Sequence, residues 1–142
     1  MGPAFWDTSA LVPLCVNEQG TASASQLVRQ YALVVWWATP VEACSAFLRL
    51  ARMQNLSAAE FIQARARFHR LRQGWREIQP TEGLRAQGES LLDRYQLRAA
   101  DALQLSAACT WAMNRPDGRV FVSGDKQLLE SARMMGFRAI EL

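Results

Sequence analysis

A chain of 142 residues, 50% of them apolar, suits a single domain spanning 1–142 with one core. No apolar run approaches the roughly 18–20 residues of a membrane helix, and MGPAFWDTSALV sets an acid where a signal peptide keeps its apolar centre, so a soluble cytoplasmic protein is expected, with no membrane partner. The net charge of +3 comes almost wholly from arginine, Lys126 being the lone lysine; it is too small to require a polyanion, and the guanidinium fork suits phosphate and carboxylate alike. Cys15, Cys44 and Cys109 are odd in number and far apart, with no C-x-x-C, which excludes a disulfide framework or a thiolate zinc site and leaves buried free thiols.

Along the chain, PAFW reads as a short strand. TSALVPLCV begins a helix that Pro13 restricts to its first turn, and QGTASASQLVRQYA forms a second, with Leu27, Val28 and Tyr31 inward. ALVVWW is a buried strand by its β-branched and aromatic run, so Trp36 and Trp37 belong to the core. Thr39-Pro40 starts the helix VEACSAFLRLARM, and Ser57 opens another in which Phe61, Ala64, Phe68, Leu71 and Trp75 recur at spacings of three and four. EIQPT is a short extended piece, GLRAQGESLLDRYQL a helix despite its glycines, ALQLSAACTWAM an apolar helix, and NRPDG a turn. RVFVS is a strand, DKQLLESARMMG a helix closed by Gly136, and FRAIEL a last strand. Strands separated by helices imply an α/β fold: a mainly parallel sheet in a three-layer α/β/α sandwich.

The acids fall on this order in a pattern. Asp7 ends the first strand, Glu42 lies just inside the helix after the second, and Asp125 follows RVFV, so all three belong at the carboxyl edge of the sheet, where ligands bind. Asp101, at the start of the apolar helix, completes the group. Each alone suits a helix N-terminus, and Thr39-Pro-Val-Glu42 fits a capping box, as does Ser57-Ala-Ala-Glu60, where no site is expected. Together they are costly: each pair about 5 Å apart repels by roughly 3 kcal/mol at an effective dielectric of ~20. A divalent cation removes that cost. Hard oxygen donors without histidine or cysteine suit Mg²⁺ or Mn²⁺, and an ion so held activates water against a phosphodiester.

WDTSALV, TPVEACSAFLRL, LRAADALQLSAA and VFVSGDKQLLESARMMGFRAIEL stand in the order and spacing of PIN-domain nucleases, and the chain most resembles the VapC toxins of bacterial toxin–antitoxin pairs. The resemblance spans nearly the whole chain. It matches Asp7, Glu42, Asp101 and Asp125 to the family's acidic quartet, with Asp125 at its more variable position, and Ser123 to the small hydroxyl two residues before the fourth acid. It implies a PIN-like sandwich, metal-dependent endoribonuclease activity, homodimers, and neutralisation by a VapB-like antitoxin. Thr8, Ser123 and Arg49 are the residues expected to support the acids or touch substrate.

Other readings compete. The arginines at 65, 67, 70, 72 and 76 either meet phosphates or carboxylates or form a solvated face, and His69 lies among them, away from the acids. Aspartate-phosphorylating phosphatases need a second Asp where this chain has Ser9; G-x-G-x-x-G and G-x-S-x-G are both absent. The alternative from another class is a noncatalytic module whose acidic pocket grips a partner's arginines. The helices between Thr39 and Gln73 carry more apolar residues than one sheet face covers, and are the expected dimer surface.

Overall fold

Side-chain alternation along the strands sets the architecture. In the computed structural model, which describes Met1–Leu142, five parallel strands form one sheet: β1 (Gly2–Trp6), β2 (Tyr31–Trp36), β3 (Arg76–Ile78), β4 (Val120–Ser123) and β5 (Arg138–Glu141), in the order β3-β2-β1-β4-β5. Between them run α1 (Thr8–Cys15), α2 (Thr21–Leu27), α3 (Thr39–Arg52), α4 (Ala58–Gly74), α5 (Glu82–Arg94), α6 (Ala99–Trp111) and α7 (Lys126–Met135).

Phe5, Val34, Trp36 and Phe121 face one core with α5, α6 and α7; Ala4, Trp6, Leu33, Val35 and Val122 face the other with α1, α3 and α4. Period two thus buries both faces, as a parallel sheet requires. On the first face Phe5 stacks on Phe121 with centroids 5.4 Å apart. On the second, Trp6 is fully buried, on the side of β1 away from Asp7. Gly88 of α5 lets that helix close on α6, where an added Cβ would stand 3.3 Å from Leu103. Gly136 ends α7 with φ +107°, a left-handed cap that other residues reach only with strain.

Several sequence expectations are corrected. Pro13 does not stop α1, which runs on to Cys15: the ring deprives only the Ser9 carbonyl of its helical partner, and Pro13 is itself buried. Tyr31 lies not in α2 but at the start of β2, paired with Gly2, because the sheet's register takes the residue that helical periodicity had claimed. Trp37 is not core: β2 ends at Trp36, and Trp37 is 50% exposed in the turn into α3. Cys15 and Cys109 are buried thiols, pushed by burial up to about 12 and about 11, whereas Cys44 is only partly covered. No helix is long and apolar enough to cross a membrane.

Candidate active site

The chain order reverses at β1, whose neighbours are β2 on one side and β4 on the other, and the crevice of a parallel sheet opens at such a point. There the Asp7 amide extends the ladder one step past β1, donating to the Val122 carbonyl at 3.2 Å. Asp7 caps α1 and is 5% exposed. Its carboxylate accepts from the Ser9 hydroxyl at 2.8 and 3.0 Å. That hydroxyl, having given its proton to Asp7, accepts from the Gly124 amide at 2.9 Å and lies 3.2 Å from the Ser123 hydroxyl, so Ser123 donates to it. Ser123 in turn accepts from the Asp125 amide at 2.9 Å. One chain of hydroxyls therefore joins the ends of β1 and β4.

Glu42 is held from elsewhere. Its Oε1 accepts from the Thr8 hydroxyl at 2.7 Å and from Gln104 Nε2 at 3.0 Å. The same Gln104 amide lies 3.1 Å from Thr8 Oγ1 and 3.2 Å from Thr39 Oγ1, while Gln104 Oε1 is buried without a partner. Asp101 stands in the first turn of α6 and Asp125 caps α7, its Oδ1 accepting from the Gln127 and Leu128 amides at 3.0 and 3.1 Å.

These elements bring Asp7, Glu42, Asp101 and Asp125 to the wall of one open cleft of about 1140 Å³, together with Thr8 and Arg49. Ser123 is sealed behind it, reaching the acids only through Ser9 and the Asp125 amide. Six carboxylates line the cleft, Glu18 and Glu141 being the others, against two cations, Arg49 and Lys126. The only ion pairs of the chain, Glu82–Arg85 and Glu130–Arg133, lie outside it.

The electrostatic consequence is carried by two groups. Burial pushes the Asp7 carboxyl up to about 7, partly offset by the Ser9 and Ser123 hydroxyls and reinforced by the Asp125 charge. Asp101 is also raised, by burial first and then by Asp125 and Glu42, against the opposing Arg98 charge.

All-oxygen donors with too few counter-charges fit a hard divalent cation in kind. With the side chains as they stand, no three of the acids are gathered closely enough to hold one ion. The reason is visible in the hydrogen bonds: Glu42 is drawn to Thr8 and Gln104, and Asp125 to the α7 amides. Glu42 Oε2 and Asp125 Oδ2 make no hydrogen bond and remain available.

Sequence reasoning missed Ser9, Thr39 and Gln104. A signal for Gln104 existed: it is the amide side chain in ALQLSAAC, three residues after Asp101. Ser9 had been weighed only for not being an acid. His69 lies at a separate cleft, as expected.

No protein-family model and no curated protein matches this sequence. Solved structures do. PAE2754 from Pyrobaculum aerophilum superposes with a TM-score of 0.68 at 18% identity, over 97% of this chain and 89% of that one. VapC20 of Mycobacterium tuberculosis, a toxin that cleaves the sarcin–ricin loop, gives 0.67 at 17% identity, over 98% of both chains. The chain has the PIN-like fold of VapC toxins. A toxin–antitoxin complex from Klebsiella pneumoniae gives 0.61 at 16% identity, over 87% of this chain and 88% of that one. In this PIN-like fold the cleft lies where the sheet reverses its order, and the sandwich expected from sequence is present with every strand parallel.

Proposed function

We propose that the protein is a metal-dependent endoribonuclease, the toxin of a toxin–antitoxin pair, with Asp7, Glu42, Asp101 and Asp125 as its acidic quartet. The observation that carries this reading is a cleft lined by carboxylates from four separate elements, none of them in an ion pair. The fold shared with VapC20 and with the Klebsiella toxin–antitoxin complex supports it.

Asp7, Glu42, Asp101 and Asp125 would hold Mg²⁺ or Mn²⁺, which when bound supplies an activated water and offsets charge on the phosphoryl oxygens. Asp7 keeps a proton near neutral pH when no cation is present and must release it to become a ligand, so cation binding tightens as pH rises. Gln104 and Thr8 fix one oxygen of Glu42 and leave the other directed by that restraint. Ser9 and Ser123 hold Asp7 and Asp125 in register across β1 and β4. Arg49 and Lys126 give the cleft its positive charge for an RNA phosphate.

A VapB-like antitoxin is the expected protein partner. A homodimer would use the exposed apolar residues at the far end of the α3–α4 pair, Met53 and Ile62. The deciding experiment is cleavage of cellular RNA by purified protein with Mg²⁺ or Mn²⁺, its arrest by EDTA, and sequencing of the new 5′ ends. Cleavage that persists in EDTA, or no cleavage with either metal, removes the reading in favour of a noncatalytic module gripping a partner's arginines.

A further inference from the structure

The turn from β2 into α3 borders two clefts of opposite charge. Val41 and Glu42 line the acidic one. Pro40, one residue earlier, lines a second cleft of about 290 Å³ between α3 and α4, floored by Phe47 and Phe68 and walled by Arg65, His69 and Arg72. No carboxylate lines that second cleft, and neither arginine is in an ion pair. The first turn of α3 is therefore a partition with unpaired carboxylates on one side and unpaired guanidinium groups on the other.

Trp37 stands at the head of this partition, three residues before Pro40. Its ring is 50% exposed, yet it is not loose: its edge packs on the buried Trp36 ring, with centroids 6.3 Å apart and planes at 65°. Its amide donates to the Ile78 carbonyl at 3.0 Å, pinning the turn to β3. Val41, 71% exposed, extends the apolar surface one helical turn further. Because Ala38 caps α3 and Glu42 is four residues on, the Trp37 and Glu42 backbones lie within about 10 Å of each other. A braced, outward aromatic ring costs little entropy when a planar group stacks on it.

We propose that single-stranded RNA crosses the first turn of α3, stacking an unpaired base on Trp37 and seating a backbone phosphate against Arg65 and Arg72. The assignment rests on the ribonuclease reading and names where its substrate is gripped. Charge complementarity selects RNA as the occupant: a polyanion brought to carboxylates needs cations beside them, and this cleft supplies cations with nothing to neutralise them. The ring selects a single strand, since only unpaired bases offer a free face.

The test combines binding of a fluorescein-labelled single-stranded RNA, on an Asp7→Asn background, with steady-state cleavage by protein that retains Asp7. Trp37→Ala is expected to raise Kd and KM about tenfold, with kcat little changed, and Trp37→Phe to restore most of the loss. Arg65→Gln with Arg72→Gln is expected to flatten the slope of log Kd against log salt by about 1.4, roughly 0.7 for each lost phosphate contact. Unchanged Kd and KM in Trp37→Ala overturn the proposal, and a shift of that variant from dimer to monomer without loss of RNA binding reassigns the ring to a protein interface. Wild-type protein that binds RNA without cutting it removes the ribonuclease reading alone, while Trp37→Ala still decides this one; protein that does neither removes both.

Discussion

Helices α3 and α4 open on the same pattern, a hydroxyl residue followed three positions later by glutamate, and the two pairs do different work. At α4 the pattern closes on itself: the Glu60 amide donates to Ser57 Oγ at 3.1 Å and the Ser57 amide to Glu60 Oε1 at 2.9 Å. At α3 the capping position falls on Ala38, one residue early, and Thr39 is sealed inside the helix with its hydroxyl against Gln104. Glu42 makes no cap and turns instead to Thr8 and Gln104. Ser57 and Glu60 are exposed, with only water competing for them; Thr39 and Glu42 meet donors already fixed by α1 and α6. The lesson is that a local motif holds where nothing buried competes for its side chains, and a departure from it marks a glutamate reserved for something else.

The largest effect that can break this contrast lies in catalysis. Asp7→Asn and Asp101→Asn are expected to stop RNA cleavage with the fold intact by circular dichroism, and Glu42→Gln to lower kcat by on the order of 10²-fold. Glu60→Gln, the same exchange at the other helix, is expected to leave the rate unchanged. Equal losses from Glu42→Gln and Glu60→Gln would erase the distinction.

Next comes pH. The folded carboxyl of Asp7 lies at about 7 against 3.8 for an ordinary aspartate, so between these values the folded chain holds a proton that the unfolded chain has released. Metal-free protein is thus expected to lose stability as pH rises from about 4 to about 7, by up to about 4 kcal/mol. Mg²⁺ or Mn²⁺ at pH 8 should restore it, and Asp7→Asn should flatten the profile. Thermal melts across pH, with and without metal, measure this; a stability that climbs over the same range contradicts it.

A smaller effect tests the restraint on Glu42. Gln104→Leu keeps the volume buried in α6 but removes the amide, and is expected to weaken apparent metal affinity about 10- to 100-fold in a cleavage titration. Unaltered titration would mean that Thr8 alone suffices. Smallest is Ser57→Ala, expected to cost about 1 kcal/mol and to lower Tm by about 2–4 °C without touching cleavage.

What could be read from sequence divides along the same line. Periodicity located the strands and helices that fill both cores, and the acids' places at strand ends led to one cleft, because position relative to a parallel sheet is a property of chain order. Tyr31 and Trp37 were misplaced because helix periodicity and an apolar run say nothing of where a register begins or ends. Thr39, Ser9 and Gln104 escaped because their partners, at separations of 65, 114 and 62 residues, exist only after folding.

That β1 pairs with β4, Ala4 beside Val120, has a bearing on how such a molecule is made. While the chain is still short of its last strands, Asp7 has no Val122 carbonyl for its amide, Ser9 has no Gly124 donor, and Asp125 does not yet exist. Pairings of such long sequence separation are among the slowest contacts to form. A translating ribosome is therefore shielded from its own product: the blade is complete only when nearly all of it has been forged.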